Sequence, residues 1–330
     1  MKPSMASGTA RTKALITAGA VLLALLAAVS LTVGKYPLSL EALLSGDAMQ
    51  LRVFRTLRLS RTAAGVAGGF ALGVAGFVYQ TVFRNPLASP DVIGVSSGAS
   101  AGAAAGILFF GGAAAITASA FAGALLAVLT ALGLSALDRG GRNGTIVLAG
   151  VAVHALAQTA LMCLKLTADP EKELASIEYW IMGSLNGISL HRLGGNLGLC
   201  LVCAGALFLL HRQVILLSAR EGEARMLGVP VGALRLAVLL IATLAVASVV
   251  SLTGLISFVG LLAPHSARLL TGNNRPGTML LSGLLGGALL CGADILARRV
   301  AAVELPVSIF TSLLGAPFLI WLILRERRGA

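Results

Sequence analysis

Long uncharged stretches alternate with short polar segments along the whole chain. Residues 14–33 and 62–83 each match the ~20 residues that an α-helix needs to cross a bilayer. Residues 92–137 are 46 consecutive uncharged positions, too many for one crossing and enough for two, with a turn at Gly111 and Gly112. The pattern predicts membrane-spanning helices rather than the amphipathic helices of a soluble core.

The second half of the chain continues the same alternation. Further crossings are predicted at about 145–166, 193–211, 236–267 (two short helices that turn near residues 251–254), 278–298 and 306–324. The predicted fold class is therefore an all-α polytopic membrane protein with ten transmembrane helices. It forms one domain over residues 1–330, with a polar tail at 1–13, a helix bundle at 14–325 and a long polar connection at 212–235.

Glycines recur at every fourth position in two of the predicted helices. The two runs are Gly65, Gly69 and Gly73, and Gly98, Gly102 and Gly106. Residues four apart share a helical face, and a face of glycines lets another helix approach closely where lipid supplies no hydrophobic driving force. We expect each run to pack against a neighbouring helix.

Composition supports the membrane class. Hydrophobic residues make up 57% of the chain and charged residues only 12%, about half the share of a soluble domain. The net charge of +12 does not imply nucleic-acid binding, because in a membrane protein the side on which basic residues lie matters more than their sum. The four cysteines all lie inside apolar runs and are interpreted as packing residues: Cys163, Cys200, Cys203 and Cys291.

Several kinds of chemistry are missing from the sequence. No G-x-x-x-x-G-K-[ST] loop is present, so the chain is not expected to hydrolyse ATP itself. An ion-coupled carrier would be expected to hold carboxylates near the membrane midplane. Few ionisable residues are predicted to lie within the membrane, namely His154, His265 and Asp294, and Asp294 is placed to pair with Arg298 one turn on. No nucleophile–base pair or metal cluster is recognisable, so neither an enzyme nor a cofactor is predicted.

Residues 83–98 separate two apolar segments, and residues 84–91 read Arg-Asn-Pro-Leu-Ala-Ser-Pro-Asp. Proline disfavours helix in the residue before it, so the preceding helix should end near Arg84. Ser89 is a candidate N-cap for a new helix that begins at Pro90 or Asp91. Local chemistry alone favours an ordinary cytoplasmic connection between two membrane helices.

The same stretch nevertheless resembles the signature of the FecCD permeases, the membrane subunits of ABC importers for ferric siderophores, haem and cobalamin. The other blocks that agree with this family are residues 254–265 with 267–269, residues 293–298 with 304–306, and residues 315–318 with 321–322. The resemblance extends from about Arg58 to the C-terminus, in the family's order and spacing.

The resemblance implies a fold like that of the cobalamin importer permease, with an internal repeat that relates spans two to five to spans seven to ten. It implies three kinds of protein partner: ABC ATPase subunits, an extracytoplasmic substrate-binding protein and a second permease subunit. The translocation pathway would run between two permeases, lined largely by spans five and ten. The implied location is the bacterial cytoplasmic (inner) membrane, with many passes through its lipid and both termini in the cytoplasm.

The resemblance also assigns roles to particular residues. Arg58, Arg61 and Arg298 would dock carboxylates of the binding protein, with Ser60 departing from the family's proline. The cytoplasmic gate would include Asn85 and Leu87, with Asn143 and Gly144 near a second gate element where the sequence departs from the family. A coupling segment to the ATPase would include Glu221, Glu223, Ala224, Arg225, Leu227 and Gly228. Without the resemblance, that segment reads equally well as a solvated connector.

Arginines cluster where basic residues are disfavoured, on the predicted outer side of the membrane. Arg52, Arg55 and Arg58 recur at a spacing of three, so they can share one helical face, and Arg61 completes the run. A surface facing lipid headgroups would also explain such a run. The expected function is import of a ferric siderophore, with haem or cobalamin as the alternative cargo and a secondary carrier as the less favoured class.

Overall fold

The computed structural model describes residues 5–137, 143–188, 190–218, 230–301 and 303–329, and within these ranges the chain forms helices and no β-strand. A π-helical turn, Phe54–Leu59, joins α3 to α4, and a 3-10 turn, Pro90–Ile93, precedes α5. The α-helices are α1 (Met5–Thr32), α2 (Leu40–Leu44), α3 (Ala48–Val53), α4 (Ser60–Val82), α5 (Val95–Ala105), α6 (Ala113–Ala136), α7 (Asn143–Thr167), α8 (Glu173–Ile181), α9 (Leu190–Leu209), α10 (His211–Leu216), α11 (Val231–Thr253), α12 (Val259–Thr271), α13 (Pro276–Arg299) and α14 (Val307–Gly329).

Among the described residues, six helices are long and apolar enough to cross a membrane. These are Ala10–Thr32, Ala48–Val82, Ala113–Ala136, Thr145–Thr167, Val231–Thr253 and Pro276–Arg299. Shorter apolar helices cover Val95–Phe110, Leu193–Leu209 and Val307–Leu322. Together with α12, which has only 13 residues, they are compatible with the ten predicted passes. The chain is an all-helical polytopic membrane protein, as its uncharged stretches predict.

Two of the predicted turns occur where the sequence places them. Gly111 and Gly112 both have positive φ angles, of 62° and 77°. They separate α6 from a π-helical segment, Gly106–Phe110, that continues α5. Gly254, with φ of 70°, ends α11. A positive φ costs an ordinary residue energy and costs glycine little, which explains why both turns contain glycine.

The glycine faces form backbone contacts between helices, as predicted. A Cβ atom placed on Gly69 would lie 2.4 Å from the carbonyl oxygen of Gly286, and one on Gly73 would lie 2.1 Å from that of Ser282, both in α13. In the other run, a Cβ atom on Gly102 would lie 2.2 Å from the carbonyl oxygen of Ser119 in α6. These distances leave no room for a side chain, so α4 packs on α13, and α5 on α6, backbone against backbone.

The connection between α4 and α5 turns back into the bundle after α4 ends, a depth that the sequence does not indicate. The helix ends at Val82, close to the predicted Arg84, and Ser89 and Pro90 occupy the N-cap and first positions of the next helical turn, although Ser89 makes no side-chain capping bond. A Cβ atom on Gly260 would lie 3.3 Å from the Leu72 carbonyl oxygen and 3.6 Å from Pro90 Cδ. Leu72 is ten residues, or about 15 Å, from the end of α4. Pro90 therefore lies level with the middle of the bundle.

Helix α12 also begins inside the bundle, close to Pro90. α12 begins at Val259, directly after Phe258, whose φ of 67° is unusual for a bulky residue. Phe258 packs against α14, where a Cβ atom on Gly315 would lie 2.4 Å from the Phe258 ring. Further toward the C-terminal ends of α12 and α14, the rings of His265 and Phe318 contact edge to face with centroids 5.8 Å apart. The sequence blocks that carry the family resemblance are thus neighbours in the fold.

Candidate functional site

Three arginines converge at the end of the bundle where α1 ends and α4 begins. Arg58 lies in the π-helical turn, Arg61 in the first turn of α4 and Arg298 in the last turn of α13, and they are 4%, 6% and 5% exposed. Sequence analysis predicts the cluster but not its burial, because the spacing of arginines indicates a shared face and says nothing about what covers that face. Arg52 and Arg55 remain exposed.

Two carboxylates join the arginines, and we call the five side chains the ion cluster. Arg61 Nε lies 2.7 Å from Asp294 Oδ1, and its Nη1 lies 2.8 Å from Glu304 Oε2. The other oxygen of Asp294 lies 2.7 Å from Arg298 Nη2, which confirms the predicted i,i+4 pair. Charges buried in protein are stable only when they are paired and hydrogen-bonded, and here a single carboxylate bridges two helices.

The ion cluster also holds the end of α1. Arg298 Nη1 donates to the Val33 carbonyl oxygen at 2.6 Å, and its Nη2 donates to Ser30 Oγ at 2.6 Å. Arg58 donates through Nη1 to the same Val33 carbonyl and through Nη2 to that of Tyr36 at 2.7 Å. Guanidinium suits this task because its five donors lie in one plane and can reach several acceptors at once.

The ion cluster borders a cavity of about 190 Å³. Three arginines against two carboxylates leave one positive charge in excess. Nε of Arg58 and Nη2 of Arg61 are buried and have no hydrogen-bond partner among the described residues. The lining also includes Lys35, Tyr36 and Asn186. A cavity lined by an excess of positive charge is suited to accept a carboxylate.

The predicted gate residues Asn85 and Leu87 are exposed at the opposite end of α4. Asn85 Oδ1 accepts a hydrogen bond of 2.9 Å from the Leu87 amide, which closes a tight turn of the Asx type. Asn143 and Gly144 are the first residues of α7. The predicted coupling residues, Glu221 to Gly228, lie outside the described residues.

Arg268, near the end of α12, has a role that the sequence analysis does not predict. Its Nη2 donates to the Phe77 carbonyl at 3.1 Å and to Thr81 Oγ1 at 2.8 Å, and its Nη1 donates to Gln80 Oε1. The guanidinium also lies over the Phe77 ring, 4.5 Å from the centroid. Gln80 in turn donates to the Leu261 carbonyl at 3.1 Å. Arg268 thereby joins α12 to the last turns of α4.

Asp91 is a second residue whose setting the sequence did not indicate. It follows Pro90 at mid-depth and borders a cavity of about 250 Å³, and the Ser96 hydroxyl donates to its Oδ1. An acidic residue in the first turn of a helix gains about 0.3–1 kcal/mol from the helix dipole, whereas an aspartate at the centre of a membrane helix costs roughly 2.5–3.5 kcal/mol. Helix capping alone would not offset that cost at the centre of a membrane helix, and Asp91 instead borders a cavity.

A cavity of about 680 Å³ is bordered by α8. Its lining includes Lys172, Tyr179 and Trp180 from α8 and its N-cap, and Thr253 from the end of α11. The walls are fixed by backbone bonds, since the Ser184 amide donates to the Thr253 carbonyl at 2.6 Å and the Val307 amide to the Gly183 carbonyl at 3.0 Å. Among the described residues, this recess and the cavity of the ion cluster share Asn186 in their linings, whereas the cavity at Asp91 lies nearer the middle of the bundle.

Comparison with known proteins identifies the family. The sequence profile of the FecCD transport family matches residues 22–325. The cobalamin import system permease of Halobacterium salinarum is 37% identical over 273 residues, which cover 82% of this chain and 73% of that protein. The ferric enterobactin transport permease of Escherichia coli is 35% identical over 335 residues, covering 98% and 99%. Similar proteins also include a hemin transport permease of Yersinia pestis and a molybdate import permease of Haemophilus influenzae.

A solved structure gives the same result for the fold. It is described as a metal-chelate type ABC transporter in an inward-facing conformation. It superposes with a TM-score of 0.87 at 31% identity, covering 95% of this chain and 99% of that one. The similarity therefore extends over nearly the whole helix bundle. The chain belongs to the FecCD transport family and is the membrane-spanning permease component of an ABC importer.

Proposed function

We propose that this permease imports a ferric siderophore. The observation that carries the proposal is residues 84–91, Arg-Asn-Pro-Leu-Ala-Ser-Pro-Asp, whose resemblance to siderophore permeases favours that cargo. A similar protein named for ferric enterobactin, matched over nearly the full length of both chains, supports it. Import of haem or cobalamin is the second candidate, favoured by relatives of comparable identity.

The partners follow from the family. An ABC importer needs ATPase subunits, an extracytoplasmic binding protein that delivers the cargo and a second permease copy or relative. We infer that the cargo passes between two permeases along α7 and α14, which correspond to predicted spans five and ten. Both helices carry exposed apolar residues, among them Leu148, Leu156 and Leu313. The inner membrane is the implied location, and cytoplasmic termini are part of the proposal.

We propose that the ion cluster is where the binding protein docks. Arg58, Arg61 and Arg298 are too buried to act as freely exposed charges. The partner's carboxylate would instead enter the 190 Å³ cavity, which all three arginines line. Docking at these residues places the binding protein on the outer side, near the recess bordered by α8.

At the other end, Asn85 and Leu87, with Asn143 and Gly144, are proposed to narrow the pathway on the cytoplasmic side. Residues 221–228 are proposed to contact the ATPase. The support is the exposure of Asn85 and Leu87 at the end of α4 opposite the ion cluster, together with the sequence pattern of Gly228 followed by Pro230, which predicts the end of a short helix.

Uptake by proteoliposomes that contain the permease and its ATPase tests the cargo. They would be supplied with binding protein and one of three labelled compounds: a ferric trihydroxamate siderophore, haemin or cobalamin. We expect uptake of the ferric siderophore that requires ATP and is lost with a hydrolysis-deficient ATPase. Uptake of haemin or cobalamin alone would replace the proposal by its alternative. Uptake driven by a proton gradient with an inactive ATPase would contradict ATP-driven import by this chain.

A further inference from the structure

The mid-depth cavity lies where two interrupted helices meet. Its volume is about 250 Å³, and its polar lining consists of Ser89, Asp91, Ser96 and Ser257, with apolar side chains elsewhere. Among the described residues that line it, Asp91 is the one charged side chain. Non-helical backbone at membrane depth is stable only when it is buried in protein or borders a water-filled space. Asp91 is exposed to such a space although it lies level with the middle of α4.

The cavity is flanked by the two helices that we assign to the pathway. On one side, Gly94 packs against α7, where a Cβ atom on Gly94 would lie 3.4 Å from the His154 amide nitrogen. On the other side, Phe258 lines the cavity and contacts Gly315 of α14. His154 is exposed on α7. The segment that holds Asp91 therefore contacts α7, and the segment that holds Phe258 contacts α14.

The carboxylate of Asp91 keeps most of its hydrogen-bonding capacity. A carboxylate offers about four acceptor positions. Among the described residues, the structure gives it one hydrogen-bond donor, the hydroxyl of Ser96. The remaining positions are available to a ligand or to water.

We propose that Asp91, with the three serines, is a contact point for the cargo that discriminates by charge. It favours chelates that present a positive charge or N–H and O–H donors, and it disfavours polyanionic chelates. The inference rests on the proposed function, because it assumes that the cargo moves along α7 and α14. It adds to that function a cargo class, namely neutral or cationic ferric chelates such as trihydroxamates.

The physical basis is the position of the charge. In a partly buried site the effective dielectric is far below that of water, so a single carboxylate acts strongly on a passing charge. The serine hydroxyls can donate or accept, so they contact the neutral part of a chelate without selecting its charge.

Thiol labelling tests the charge at this site without knowledge of the cargo. A Ser257→Cys, Cys163→Ser variant has one accessible thiol in the cavity, because Cys200, Cys203 and Cys291 are buried. In lipid nanodiscs it would react with a cationic trimethylammonium-ethyl methanethiosulfonate and with an anionic sulfonatoethyl analogue, each rate normalised to that of a free thiol. We expect roughly a tenfold preference for the cationic reagent. Adding Asp91→Asn should remove the preference, whereas Asp91→Glu, or Asp47→Asn at an exposed carboxylate, should keep it.

Two outcomes would overturn the proposal: a preference that Asp91→Asn leaves unchanged, or a thiol introduced by Ser257→Cys that reacts with neither reagent. Uptake of ferrioxamine B and its N-acetylated form, which differ by one positive charge, provides the second readout. Asp91→Asn should reduce the ratio of cationic to neutral uptake several-fold, and an unchanged ratio would contradict the proposal. If the wild type imports neither compound, the trihydroxamate cargo class is wrong, while the labelling result still decides whether Asp91 sets the charge of the cavity.

Discussion

Arg61 Nε and Asp294 Oδ1 lie 2.7 Å apart although 233 positions separate the two residues in the sequence. The contact joins the first turn of α4 to the last turns of α13. Asp294 is 1% exposed and also pairs with Arg298, whereas Glu304, the second carboxylate of the ion cluster, is 22% exposed. The two carboxylates therefore have different roles in stability.

Replacing Asp294 with Asn should destabilise the protein more than replacing Glu304 with Gln. Loss of the Asp294 charge leaves Arg298 buried without its counter-ion, and breaking such a pair costs about 3–5 kcal/mol. The Glu304 change leaves Arg61 paired with Asp294 and should cost less than about 1 kcal/mol. Thermal unfolding in detergent compares the two variants. Equal shifts in their midpoints would show that the cluster does not depend on Asp294.

Docking at the ion cluster can be tested at Arg58. Arg58→Gln removes a charge beside the cavity and should weaken binding of the substrate-binding protein by about tenfold or more, the scale of a desolvated charge pair. Arg55→Gln removes an equal charge from an exposed site and should have less than about a twofold effect. Surface plasmon resonance measures both affinities, and unfolding midpoints control for stability. Similar losses in both variants would indicate a general charge effect and contradict docking in the cavity.

Gly73→Leu should prevent the close approach of α4 and α13. Its Cβ alone would lie 2.1 Å from the Ser282 carbonyl oxygen, and overpacking of this kind costs about 1–3 kcal/mol or more. Gly133→Leu is the matched control, because a Cβ atom there meets no atom within 4 Å. Expression level and unfolding midpoint should fall for the first variant alone. Normal assembly of Gly73→Leu would contradict the packing described above.

Arg268→Lys keeps the charge and should still destabilise the protein by about 2 kcal/mol, because the single ammonium cannot reproduce the planar set of bonds made by the guanidinium. Those bonds reach Phe77, Gln80 and Thr81, and the stacking on the Phe77 ring would be lost as well. The control is Arg275→Lys, at an exposed position before α13. Unfolding midpoints compare the two variants. A lysine that is tolerated equally at both positions would show that charge alone matters at residue 268.

The coupling segment gives a prediction based on the sequence. If residues 224–228 dock in the ATPase, Gly228→Pro should uncouple ATP hydrolysis from transport, because proline cannot take the left-handed conformation expected for the residue that ends the helix. Gly232→Pro is the control, since residue 232 lies in the first turn of α11, where proline is tolerated. Stimulation of hydrolysis by loaded binding protein is the measurement, and an unchanged value in Gly228→Pro would remove the segment from the mechanism.

Much of the fold follows from the sequence because membrane helices depend on local properties. Uncharged length places the helices, glycine pairs mark the turn at 111–112, and four-residue glycine spacing identifies the close contacts of α4 and α5. The Asp294–Arg298 pair is predictable for the same reason, since both residues lie on one helix face. These signals depend on residues that are near each other in the chain.

The sequence does not indicate which helices become neighbours. Arg61 pairs with Asp294 only because α4 packs on α13, so the burial of the ion cluster depends on contacts between distant segments. The position of Asp91 inside the bundle is also not predictable from the sequence. A polar, proline-rich stretch favours a surface loop, and the sequence does not distinguish the membrane surface from a water-filled cavity inside the bundle.

The glycine contacts between α4 and α13 also constrain movement. Carbonyl oxygens of α13 occupy the space that side chains would fill on α4, so sliding one helix along the other by a single residue would press side chains onto backbone. The bridge at Asp294 fixes the register at one end. We therefore expect the two helices to move as a single body during transport. The displacement that opens and closes the permease would then occur at other helix contacts, and α7 and α14, which carry exposed apolar faces, are the helices that we expect to tilt.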